Sequence, residues 1–283
     1  MTDHHAYILT ISCPDAKGIV FRVSEFLFRR GGNIIDSAQF GDDETQLFFL
    51  RLHFDIPLGE DELLAAFSPL AQDMQMQWRL TLASRRARVM VAVSQHGHCL
   101  NDLLFRCANG QLNVDIVGVI SNHRDFESLV RHHNLTFHHL PVNAETRHEQ
   151  ESRILELFAQ CRADLLVLAR YMQILSPRLC EALAGKAINI HHSFLPSFKG
   201  ARPYAQAHSR GVKIIGATAH YVTTDLDEGP IIEQDIERVD HAMNAQALSL
   251  IGADIESRVL ARAVRWHAEQ RILQNGGRTV IFR

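Results

Sequence analysis

Along the first part of the chain, apolar residues recur first with a period of two and then with a helical period, and each switch marks an element. The stretch 6-AYILTIS-12 alternates as a half-buried strand does, and CPDAKG punctuates its end with Pro14 and Gly18. From Ile19 the spacing becomes helical. Val20, Val23, Phe26 and Leu27 fall on one stripe, and a Gly-Gly pair stops it. The runs 33-NIIDSAQF-40 and 46-QLFFLRLHF-54 flank a polar GDDET turn and predict a hairpin. A helix over 60–72 and a strand over 75–83 complete a β-α-β-β-α-β order.

The pattern resets around Ser84 to Ala87, so two domains are expected, 1–84 and 85–283. Strands over 88–94, 112–120, 135–140 and 164–169 alternate with helices near 99–107 and 147–160 and a short one between them. Runs such as VDIVGVI and LLVLA are apolar throughout, as strands buried on both faces must be. Further strands over 213–222 and 230–239 precede a closing helix over 244–270. The fold class is α/β. A ferredoxin-like βαββαβ unit is followed by a Rossmann-like, mostly parallel sheet.

Composition narrows the partners. The 283 residues carry a formal net charge of −3, and the Arg85, Arg86, Arg88 group is the longest basic cluster. A nucleic-acid surface needs more clustered cations than that, so none is expected as a partner. No run approaches the roughly 20 apolar residues of a membrane span. The five scattered cysteines form no C-x-x-C pair and read as reduced thiols, which points to a cytoplasmic protein. The adjacent histidine pairs 132/133, 138/139 and 191/192 would face opposite ways on a strand, so no metal site is expected.

The stretch 188-INIHHSFLPSFKG-200 holds the candidate chemistry. Asn189 and His191 are two residues apart at a strand end, where open α/β sheets bind ligands. An amide can donate to a carbonyl oxygen that gains charge, and an imidazole can move a proton or hold that same oxygen. Asp227, in the 223-TTDLDEGP-230 turn, is the candidate acid that orients the imidazole and takes a proton from the nucleophile. Arg170, Lys199 and Arg202 are read as surface or loop anchors, or as attraction for an anionic ligand tail, and Cys99 as a packing residue.

The strings INIHHSFLPSFKGARPYAQAH and GATAHYVTTDLDEGPII closely resemble the formyltransferase-fold family that uses 10-formyltetrahydrofolate, over Arg88 to the C-terminus. The resemblance implies catalytic roles for Asn189, His191 and Asp227. It implies folate contacts at Leu168, Tyr171, Met172, Gln173, Ile174 and Leu175, and at Val222, Thr223, Asp225 and Leu226. The first domain resembles an ACT domain. That resemblance implies an amino-acid effector near Asp15, Gly18, Asn33 and Ile34, and a homodimer or homotetramer.

The combination is similar to the members of that family that hydrolyse 10-formyltetrahydrofolate to tetrahydrofolate and formate. Such an enzyme needs no cofactor; it supplies formate for purine synthesis and balances one-carbon pools. One alternative is transfer to an amine, as in phosphoribosylglycinamide formyltransferase. That reaction needs a glycine-rich phosphate loop, whereas 94-SQHGHCLNDLL-104 has one glycine and two histidines. A non-catalytic folate or amino-acid sensor is the third reading.

Overall fold

The computed structural model describes residues 5–193 and 203–283. Lys199 and Arg202 lie outside them. The chain divides into two units. One comprises residues up to Arg85 together with Glu269–Arg283, and the other comprises Arg86–Ala268.

In the first unit, strands β1 (His5–Pro14), β2 (Asn33–Asp42), β3 (Leu47–Ile56) and β4 (Gln77–Leu82) form one sheet in the order β2-β3-β1-β4. All its pairings are antiparallel. Helices α1 (Ile19–Phe28) and α2 (Glu60–Asp73) supply Val23, Phe26, Leu27, Leu63 and Phe67 to the core beneath it. The buried stripe of α1 starts at Ile19, not Val20. Ile19, Val23, Phe26 and Leu27 keep the i, i+4, i+7, i+8 spacing, while Val20 is turned to solvent. Asp15 and Gly18 precede α1, whereas Asn33 and Ile34 follow it, so the four expected effector residues sit at opposite ends of one helix.

The C-terminal residues depart from expectation. The second domain was expected to run to residue 283, but a hairpin of β12 (Ile272–Asn275) and β13 (Arg278–Ile281) belongs to the first unit. Leu273 and Phe282 pack on Phe49, and buried Arg51 donates twice to the Glu269 carbonyl. Arg278 pairs with Asp42 and Glu44. The 275-NGGR-278 turn was the missed signal, since Gly-Gly between short strands favours a two-residue hairpin loop.

The second unit is a seven-stranded sheet in the order β11-β10-β9-β8-β5-β6-β7. Its strands are β5 (Ala87–Val93), β6 (Val114–Ser121), β7 (Phe137–His139), β8 (Leu165–Leu168), β9 (Ala187–His191), β10 (Ile214–Tyr221) and β11 (Ile231–Arg238). The first five are parallel, and β10 and β11 continue the sheet antiparallel. The connecting helices are α3 (His98–Ala108), α4 (Glu127–His132), α5 (Arg147–Gln160), α6 (Pro177–Ala182), α7 (Pro203–Ser209) and α8 (Ala245–Ala268). Strands β5 and β8 are buried nearly throughout, as double coverage requires. Among the described residues, no helix is long and apolar enough to cross a membrane.

Candidate active site

Asn189 and His191 project from one face of β9. Antiparallel β10 places His220 opposite Asn189 and Thr218 opposite His191. The His220 Nδ1–H donates to the Tyr221 carbonyl at 2.9 Å, which leaves Nε2 to accept from the Asn189 amide at 3.3 Å. The amide nitrogen therefore faces His220 and keeps a second N–H for another acceptor. A register shift between β10 and β11 falls at Ala219/His220, where the strand re-aims this side chain.

Asp227 arrives by a detour. The sequence places the 223–230 turn beside strand carboxyl ends, but antiparallel β10 leaves the sheet at the opposite end from β9. The loop must therefore fold back. It is closed by the Tyr221 N–H donating to the Pro230 carbonyl at 3.0 Å, with Gly229 packed directly on the Tyr221 carbonyl. Asp227 sits at φ +59, a region that Asp and Asn enter more readily than most residues. Its carboxylate meets His191 Nδ1 at 3.2 Å and lies 3.7 Å from His220 Nε2. Burial would raise its pKa, but its interactions with His191 and His220 outweigh that and hold it well below the usual carboxylate range.

Asn189, His191 and Asp227 share a cavity of about 310 Å³ with all ten residues expected to contact the ligand. Helix α5 fixes one wall. Gln150 donates to the Leu140 carbonyl and to the Tyr171 hydroxyl, Glu151 accepts from the Ser176 amide at 2.8 Å, and Arg147 reaches the Ile174 carbonyl. The end of β5 braces the same loop, since Ser94 Oγ accepts from the Met172 amide at 3.0 Å. Burial pushes the Tyr171 phenol up to about 12, so it stays protonated. Met172, Ile174 and Leu226 remain exposed and give the cavity an apolar rim.

A second polar cluster was not foreseen. Glu256 of α8 is 1% exposed and binds His98 Nε2 at 2.7 Å and the Tyr204 hydroxyl at 2.6 Å. Arg170 Nε lies 3.4 Å from it. The expectation that Arg170 is a surface or loop anchor is thus corrected: it is buried, paired and on the cavity wall. Glycine at 252 makes room, because a methyl group there would overlap the Tyr204 ring. Among the described residues, His98, Cys99 and Glu256 bring three potential metal donors together. The donor set suits a cation poorly, because the carboxylate already faces a guanidinium and burial pushes the Cys99 thiol far up. Cys99 is a fully buried packing residue.

His192 stacks on His191 with ring centroids 4.7 Å apart and 22° between planes. Burial, then the charges of Arg170 and His191, push it from the ordinary 6.5 down to about 4. Between those pH values the unfolded chain binds a proton at His192 that the folded chain refuses. Stability is therefore complete above about pH 6.5 and falls as the solution is acidified towards pH 4, by up to about 3 kcal/mol from this group. Asp227 adds a further loss below its unfolded value of 3.8. Urea denaturation at several pH values reads the slope, and His192→Phe flattens the upper part of it.

His220 is the site residue that sequence reading missed. Its signal was the small-residue alternation of 217-ATAH-220, which leaves Thr218 and His220 as the functional side chains of one strand face.

A formyl transferase family model matches residues 87–264. A formyltetrahydrofolate deformylase of Bacillus subtilis is 52% identical over 278 residues, spanning 97% of this chain and 93% of the relative. The crystal structure of a formyltetrahydrofolate deformylase from Burkholderia mallei superposes with a TM-score of 0.95 at 50% identity, covering 99% of this chain and all of that one. A glycinamide ribonucleotide transformylase structure from Symbiobacterium toebii covers 70% of this chain and 95% of its own, at 30% identity and a TM-score of 0.66. The deformylase matches thus run through both units, and the chain belongs to the formyltetrahydrofolate deformylase family, built on the formyl transferase fold.

Proposed function

We propose that this chain hydrolyses 10-formyltetrahydrofolate to tetrahydrofolate and formate. The observation that carries the reading is the linked set Asn189–His220 and His191–Asp227 at the floor of an apolar-rimmed cavity. The folate ring system enters between the 171–175 and 222–226 segments and presents its formyl carbon to Asn189 and His191.

With its Nδ1–H given to Asp227, His191 offers Nε2 to the cavity; that atom is buried and has no hydrogen-bond partner among the described residues. Nε2 takes a proton from the attacking water as the new C–O bond forms. Asn189 donates to the oxygen that becomes negative. The sequence reading gave proton acceptance to Asp227. A carboxylate held so far below its usual range is a poor base, so it serves by stabilising the imidazolium and holding its orientation. His191 then returns the proton to N10, the C–N bond breaks, and formic acid leaves as formate after losing its own proton. No step calls for a metal or cofactor.

Transfer to a phosphorylated amine fits less well. At Gly97, just before α3, a methyl group would overlap the Phe126 ring, and His98 beside it is tied to buried Glu256. A phosphate at this helix start would meet a ring and a carboxylate where a cradle needs open backbone amides.

The five free thiols support a reducing, cytoplasmic setting. Exposed Phe21, Phe28, Ile35 and Phe40 on α1 and β2 support self-association through the first unit. An amino-acid effector touching all of Asp15, Gly18, Asn33 and Ile34 would have to be shared between two copies, because one chain holds them at opposite ends of α1. Purified protein incubated with 10-formyltetrahydrofolate in water alone should release formate and tetrahydrofolate in equal amounts. Turnover that begins only when glycinamide ribonucleotide is added would make the chain a transferase instead.

A further inference from the structure

Three observations next to the reacting groups have no role in the mechanism above. Arg170, a bulky cation, occupies φ +64, where a glycine would serve. It is only 9% exposed and is held against Glu256. His192 lies face to face with His191, and its Nε2 is buried without a hydrogen-bond partner among the described residues. Backbone outliers of this kind persist only where their surroundings over-determine them, and they concentrate at functional sites.

The groups acting on His192 come from four places. They are Arg170 from the loop after β8, His191 from β9, Glu256 from α8 and Asp227 from the β10–β11 loop. Their charges are of both signs. Asp227 is anionic, the two imidazoles stack, Arg170 is cationic, and Glu256 is anionic again, anchored by His98 and Tyr204. Two stacked imidazoles do not both carry charge readily, so the flanking groups decide which one takes the proton.

We propose that Arg170, seated on Glu256, and His192 are positioning residues for His191: the His192 ring is a stacking platform that, with the Arg170 charge on the same cavity wall, confines the proton of the histidine pair to His191. The burial of His192 and the charge of Arg170 act in the same direction, keeping it neutral down to about pH 4. This role rests on the proposed hydrolysis, in which His191 alone relays the proton.

The test is Arg170→Gly, a substitution that suits the positive φ. Full-length protein labelled with ¹⁵N-histidine is titrated by NMR from about pH 4 to about pH 8, and kcat/KM for deformylation is measured over the same range. In the wild type, His192 titrates at the acid end of the range. In R170G its titration should move up by about one pH unit or more, and the acid limb of kcat/KM should move with it. Adding His192→Phe to R170G should return that limb towards its wild-type position, since the competing proton site is gone. A merely structural Arg170 would lower the rate evenly at all pH values, and that result overturns the proposal. So does a His192 titration that R170G leaves in place. If R170G does not fold, R170G/E256Q, which removes both charges of the pair, reads the same shift. A wild-type chain that releases no formate, yet shows the His192 shift in R170G, would sink the proposed reaction and leave the pairing intact.

Discussion

Asp227→Asn should lower kcat for formate release by about three orders of magnitude while folate binding changes only about threefold. The substitution keeps the volume of the side chain. Asn also tolerates the left-handed backbone at φ +59, so the loop is expected to stay in place. What is lost is the negative charge 3.2 Å from His191 Nδ1 and 3.7 Å from His220 Nε2. Without it, the imidazolium that forms when His191 takes the proton of water has no counter-charge. An Asn amide can also donate to Nδ1, which favours the tautomer whose Nε2 already carries hydrogen and cannot act as a base. Single-turnover formate release, set beside fluorescence titration with tetrahydrofolate, separates the two effects. A loss of less than about tenfold in the chemical step would mean that Asp227 is not the partner through which His191 works.

Gly229→Ala should be nearly as damaging by a different route. A methyl group at 229 would overlap the Tyr221 carbonyl oxygen, lie 2.9 Å from its carbon and press on Thr223. Neither side can give way easily, because the Tyr221 N–H is bonded to the Pro230 carbonyl at the base of the same loop. The loop has to open, carrying Asp227 away from His191 and shifting Val222, Thr223, Asp225 and Leu226 on the cavity wall. A displacement of about 1 Å in a catalytic group costs on the order of 10²-fold. Both kcat and KM should suffer, with about 1–3 kcal/mol lost in stability from the overpacking. Steady-state kinetics and a thermal melt together check this. Near-normal turnover would show that the loop closes without the Gly229–Tyr221 contact.

Much of the architecture is legible in the sequence. Local periodicity marks the β-α-β-β-α-β order, and the continuous apolar runs mark the doubly covered parallel strands. Both signals come from neighbours within one element. The C-terminal hairpin shows where such reading stops, because its strands bury Leu273 and Phe282 against Phe49, more than 200 positions earlier in sequence. Only a long-range contact reveals which unit it joins.

The site divides in the same way. By itself the sequence placed Asn189 and His191 on one strand face, marked Asp227 and pointed to the two segments that wall the cavity, since alternation and motif strings act at short range. Tertiary structure alone decided the rest. The antiparallel register of β10 sets His220 against Asn189, the folded-back loop delivers Asp227 to His191, and α8 brings Glu256 beneath Arg170. The physical reason is that the strength of a buried charge or hydrogen bond depends on what surrounds it in space, and four distant segments supply the surroundings of His191 and His192.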